Sequence, residues 1–311
     1  MKKFFLNIGF ALLVFHIAMI LIFALSLNGL MVYDKPVYTK FDLLFKDNSK
    51  QDILLLGSSR TYYGINPLLL ETLSKKKVVN AGLEGAKINE IELTLKGYLS
   101  CHPKPNKIFL MLDPHSFGLD TQSIYNKIYL THYFSNDSLY KVIHDLIGYK
   151  AILWKWIPYS LISEFDDYTR LKCVKGNFSA TKNNLSIFNY KGFSLLNRKF
   201  VASVSDIDIS EIDISKSEHF LYSILSICKT NNIEVQIIQG PYLKSYYEKN
   251  KIRDFYNGIA INVSDKYPEV KVQTSSLNYD KVDYFKDETH LNDMGSTKFT
   301  LDFFATFMNT K

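Results

Sequence analysis

The chain has 311 residues, 47% hydrophobic and 22% charged, with 14 Gly and 8 Pro. This composition excludes a disordered tail, a collagen-like repeat and a linker-like chain, and three cysteines exclude a disulfide-dense scaffold. A net charge of +6 is too small a surplus to mark a nucleic-acid binder, so no nucleic-acid partner is expected.

The apolar residues are unevenly placed. No charged residue separates Lys3 from Asp34, and residues 4–25 (FFLNIGFALLVFHIAMILIFAL) are interrupted only by Asn7 and His16. A helix of this length reaches about 33 Å, against about 30 Å of bilayer hydrocarbon. Residues 1–33 are therefore expected to form a transmembrane anchor, helical because lipid offers the backbone no other partner. Lys2 and Lys3 predict a cytoplasmic N-terminus, with the rest of the chain in the periplasm or on the outer face of the inner membrane. Ala24-Leu25-Ser26 keeps a cleaved signal peptide open as the rival, although the apolar stretch exceeds the usual length of about 7–15 residues. His16 has no visible partner in a single span and reads as merely tolerated.

Residues 34–50 read as a stalk, and 51–311 as one domain. Residues 52–56 (DILLL) form a short apolar run closed by Gly57-Ser58-Ser59, the pattern of a buried strand. Asn66-Pro67 is an N-cap followed by Pro at the first helical position. Val78-Val79 is a second strand, ending in Asn80-Ala81-Gly82. A helix follows near 86–99, with Ile88, Ile91, Leu95 and Leu99 on one stripe. Residues 108–112 (IFLML) form a third strand, ending at Asp113-Pro114.

From about 115 to 214 the rhythm lapses, and this stretch reads as a part-helical insertion rich in Tyr, Asn and Ser. Trp154, Trp156 and Tyr190 within it are either sugar-stacking residues or its own aromatic core. Ser215 and Glu218 have capping-box spacing, and the helix after them places Cys228 among core residues. Residues 235–238 form a fourth strand closed by Gly240-Pro241. A long amphipathic helix runs from Ile252 to Val263. Residues 270–272 form a fifth strand, and a last helix covers about 294–308. The odd cysteine count allows one disulfide among Cys101, Cys173 and Cys228. Short apolar strands alternating with amphipathic helices predict an α/β fold, with a five-stranded parallel sheet layered between helices. In such sheets ligands bind at the carboxyl ends of the strands.

Two motifs lie where that rule points. The first is ILLLGSSR at 53–60, where a serine past a strand and a glycine exposes its hydroxyl beside backbone N–H groups suited to an oxyanion. The second is DETHLNDMG at 287–295. There Asp287 and His290 have the spacing at which a carboxylate orients an imidazole as general base. Metal binding by this pair is open in principle, but no nearby His or Cys completes a site.

With these residues the chain resembles the SGNH, or GDSL-like, hydrolase superfamily. The resemblance implies a three-layer, flavodoxin-like α/β/α sandwich without cofactor or metal. It implies Ser59 as nucleophile, with Ser58 where an acidic residue is usual, and Asp287 and His290 as its partners. It assigns the oxyanion hole to the N–H groups of Ser59 and Gly82, with Asn80 as a further candidate donor. One departure stands out: Leu112-Asp113-Pro114-His115 replaces the block whose Asn completes the family's oxyanion hole. Losing such a donor costs about 2.7–4 kcal/mol in the barrier.

Arg60, Asp113 and His115 are candidate substrate-binding residues. For Arg60 a surface ion pair is the bland alternative, and for Asp113 and His115 a second acid–base pair. One span followed by an outer domain with Ser, Asp and His further resembles the anchored SGNH-like proteins of alginate acetylation and teichoic-acid D-alanylation. That likeness implies a serine esterase or O-acyltransferase acting on esters of envelope glycans beside a multi-span acyltransferase. A catalytically inactive, anchored binding subunit of such a complex is the alternative.

Overall fold

A computed structural model describes residues 1–118, 128–178, 191–196, 199–202, 212, 214–273 and 277–309. The chain opens with α1 (Lys2–Tyr33) and α2 (Lys35–Phe45). The first part of the α/β alternation is β1 (Ile53–Gly57), α3 (Ser59–Gly64), α4 (Pro67–Ser74), β2 (Val78–Asn80), α5 (Ile88–Cys101) and β3 (Lys107–Leu112). Helices α6 (Asp137–Ile147), α7 (Tyr149–Trp156) and α8 (Asp167–Phe178) follow. The alternation resumes with α9 (Glu218–Thr230), β4 (Glu234–Gln239), α10 (Lys244–Lys249), α11 (Ile252–Lys266), β5 (Lys271–Val272) and α12 (Asp293–Phe303). Two compact units result: Met1–Phe41 with Ile124–Ser186, and Asp42–Ser123 with Ile187–Lys311.

The second unit is the expected α/β fold. Its five strands are all parallel, in the order β2-β1-β3-β4-β5. Every residue of β1 is buried, as is β3 from Ile108 onward; the uninterrupted apolar runs reflect strands covered on both faces. Register is set by pairs such as Ile53↔Val78 and Gly57↔Met111. The order 2-1-3-4-5 is a doubly wound one, whose switch point opens a crevice beyond the carboxyl ends of β1 and β3.

Asn66 caps α4 as its sequence predicts, accepting from the N–H groups of Leu68 and Leu69. Phe299 and Phe303 of α12 and Phe307 of the π-helical turn after it are buried, and Phe303 meets Phe109 of β3 edge-on at 4.8 Å. The expected capping box at Ser215 is not what starts α9. Its N-cap is Ser217, whose hydroxyl donates instead to the Phe117 carbonyl at 2.9 Å. The three cysteines are free thiols, and Cys228 is buried in the core.

In the first unit, α1 is long and apolar enough to cross a membrane, with a mean hydropathy of 2.8 in its most apolar window. Its C-terminal part packs on α8, part of the expected insertion. A Cβ on Gly29 would stand 1.9 Å from the Cys173 carbonyl oxygen, and one on Gly176 1.8 Å from that of Gly29. Small residues here let two backbones touch, as in membrane helix pairs. Asn177 donates to the Leu25 carbonyl at 2.7 Å, and a buried Lys172–Asp34 ion pair of 3.0 Å closes the far end.

His16, read from sequence as unpartnered, bonds the Tyr159 hydroxyl through Nδ1 at 3.1 Å. The partner lies 143 positions away, beyond the reach of any local pattern. The stretch expected as a stalk is largely α2, with Tyr38, Phe41, Leu44 and Phe45 buried at helical spacing.

Candidate active site

Gly57 lets the first motif turn. A Cβ there would lie 2.2 Å from Thr61 Oγ1 and 2.5 Å from the Met111 carbonyl oxygen, so α3 starts this close to β3 only past a glycine. Ser58 is the N-cap of α3: its carbonyl accepts from the N–H groups of Thr61 and Tyr62, both at 3.1 Å. Its hydroxyl donates to the Asp113 carboxylate. Ser59 is therefore the first residue of the helix, where backbone N–H groups have no intrahelical acceptor.

The second motif is a clamped loop. Phe285 and Leu291 form an antiparallel bridge, and Lys286 N–H donates to the His290 carbonyl at 2.8 Å. Inside it, Asp287 Oδ1 accepts from the N–H groups of Thr289 at 3.0 Å and His290 at 2.9 Å, an Asp-led turn. The same carboxylate reaches His290 Nδ1 at 2.9 and 3.0 Å. His290 Nε2 lies 2.9 Å from Ser59 Oγ. Asp287 accepts only from an Nδ1–H tautomer, which leaves Nε2 free to accept from the serine hydroxyl. Burial raises the Asp287 carboxyl pKa, but the bonds and charge of His290, with the bonds from Thr289, outweigh it and hold the group below the usual carboxylate range.

Around Ser59 and His290 lies a pocket of about 300 Å³, lined also by Arg60, Gly85, Lys87 and His115. Arg60 is expected as a substrate ligand or a surface residue, yet its side chain is buried. Its Nε donates to the Thr289 carbonyl at 3.1 Å, its Nη2 to the Pro241 carbonyl at 2.5 Å, and its guanidinium lies 3.5 Å from the Tyr242 ring centroid. It ties the serine turn to the histidine loop.

Two oxyanion assignments need correcting. Asn80 Nδ2 donates to the carbonyls of Thr61 at 2.7 Å and Ile65 at 2.9 Å, which uses both its amide hydrogens. Asn80 Oδ1 in turn accepts the Gly82 N–H at 3.0 Å. Neither Asn80 nor Gly82 lines the pocket. Gly85 does, at φ +69°, and its N–H has no partner among the described residues, like that of Ser59. The signal was present in the sequence: Asn80-Ala81-Gly82-Leu83-Glu84-Gly85 holds two glycines, and the second is at the pocket.

Asp113 and His115 both line the pocket, but no hydrogen bond between their side chains is found among the described residues. The Asp113 carboxylate instead accepts from the Ser58 hydroxyl and from Ser116 N–H at 3.1 Å. Burial pushes the His115 imidazole pKa down, against the pull of Asp113. Of the aromatic residues expected on sugars, Trp154 is buried, Trp156 is exposed and neither lines the pocket; Tyr190 lies outside the described residues.

Among solved structures, the chain is similar to one from Streptococcus pneumonia named for a platelet activating factor. Identity is 14%, the alignment covers 88% of this chain and 92% of that one, and the TM-score is 0.41. At that level the likeness bears on neither chemistry nor substrate. No family model and no curated protein matches the chain.

Proposed function

We propose that this chain is a membrane-anchored serine esterase or O-acyltransferase of the SGNH type, acting on ester groups of envelope glycans. The observation that carries the reading is the relay from Ser59 Oγ through His290 to Asp287, with both links at 2.9 Å. It stands at the switch-point end of a parallel sheet. Ser59 attacks the acyl carbonyl, and His290 Nε2 takes its proton and passes it to the leaving alkoxide. Asp287 stabilises the imidazolium. The N–H groups of Ser59 and Gly85 hold the oxyanion. The acyl-enzyme is then resolved by water or by a sugar hydroxyl, so hydrolysis and transfer differ only in the acceptor. In this reading the Lys2-Lys3 end is cytoplasmic and the domain lies outside, where a multi-span acyltransferase would deliver the acyl group.

Labelling with a fluorophosphonate tests the nucleophile. The natural chain should label and Ser59→Ala should not; failure of the natural chain to label overturns the enzyme reading. Comparing acyl release to water with acyl transfer to a sugar acceptor then separates the two activities. One observation favours an inactive binding subunit instead. At the place of the family's Asn, Asp113 is acidic and already accepts from Ser58 and Ser116, so it donates nothing to an oxyanion. That subunit would neither label nor turn over, yet would still bind the glycan.

A further inference from the structure

We propose that the first unit carries a lipid seat, in which the hairpin of α7 and the 3-10 helix Pro158–Glu164, together with the end of α8, rests in the outer leaflet beside α1. The inference rests on the reading of α1 as a membrane span. At about 1.5 Å per residue, His16 lies about 20 Å from Lys3, about 10 Å short of the far edge of a hydrocarbon layer about 30 Å thick. Tyr159 bonds His16 there. A side chain bonded at that level places its own backbone within the outer leaflet.

The hairpin has the composition such a place requires. Lys150 and Glu164 pair at 2.7 Å across its base. Between them runs AILWKWIPYSLIS, with one charged residue. Ile152, Leu153, Trp156 and Ile157 are exposed, Trp156 by 74%. Lys155 is drawn back over the Tyr140 ring at 3.9 Å, and 3.6 Å from Asp137, which suits headgroup depth. On α8, Asn177 is tied to Leu25, which by the same measure lies at the boundary, and the next residue, Phe178, is 86% exposed. Exposed apolar and aromatic side chains thus gather at the level where the span leaves the membrane, the position of an interfacial aromatic belt. Lipid is the occupant because it already surrounds the span against which these helices pack.

The chain's two tryptophans provide the test. Trp154→Phe leaves Trp156 as the sole emitter in the full-length protein, purified into phosphatidylcholine vesicles. Lipids brominated high on the acyl chain should quench it several-fold more than aqueous iodide does. Quenching by iodide and not by bromolipid overturns the lipid seat. In a chain with Trp154→Phe, Trp156→Phe and Phe10→Trp, deep bromines should quench. If they fail, the span reading itself falls; if they succeed while Trp156 answers to iodide, only the seat falls. Should Trp154→Phe unfold the unit, Trp156→Phe in the natural chain reads the same property. It should remove most of the bromolipid quenching, and unchanged quenching overturns the seat.

Discussion

At the scale of single residues, the site depends on hydrogen bonds that assign one duty to each group. Asp287→Asn keeps the shape of its loop but no longer forces the Nδ1–H tautomer of His290, so turnover should fall about 10³–10⁴-fold with substrate binding little changed. The Asp287 carboxyl is held below its ordinary value in the folded chain. A depressed carboxyl stabilises the fold above its unfolded value, near pH 4, and the contribution is lost as pH falls toward the lower folded value. Thermal melts across that acid range should show the loss in the natural chain and a flatter dependence in Asp287→Asn. Asn80→Ala distinguishes scaffold from catalyst. It strips three buried bonds and should cost about 2–4 kcal/mol of stability; a turnover loss at unchanged melting temperature would instead return Asn80 to the oxyanion hole. Arg60→Met removes a buried clamp and should lower stability by about 3 kcal/mol, with turnover falling because the loop of His290 drifts from Ser59.

At the scale of elements, the close approaches are made by glycines. Gly57→Ala places a methyl between Thr61 of α3 and the Met111 carbonyl of the central strand β3, so α3 must shift and carry Ser59 with it. Lower stability and lost fluorophosphonate labelling are expected together. Gly176→Leu should separate α8 from α1, read as a drop in melting temperature in detergent with the α/β unit still folded. Local pattern disclosed these elements well where period and punctuation agree. The strand at Ile53, the cap at Asn66 and the phenylalanine stripe of α12 are examples. It failed at Ser215 and Ser217, because both serines can cap and the choice was made by the Phe117 carbonyl a hundred positions away.

At the scale of the whole molecule, the N-terminal helix is more than a tether. Within its unit α1 supplies Gly29 and Leu25 to α8, and His16 to Tyr159, so deleting residues 1–33 should leave the 128–178 stretch without its packing partner. Limited proteolysis of the truncated chain should cut there first, whereas a pure tether would leave the cleavage pattern unchanged. The amino-acid order by itself determined the apolar span, the α/β alternation and the three residues Ser59, Asp287 and His290. Each is written in a run, a period or a short motif, and each needs only the local geometry of helix, strand or turn. Only the tertiary structure decided that Gly85 and not Gly82 faces the pocket, that Arg60 is an internal clamp, that His16 has Tyr159 for a partner, and that much of the insertion belongs with the N-terminal helix. Those outcomes depend on which donors meet which acceptors across long separations. A buried polar group must take the partner that folding brings to it.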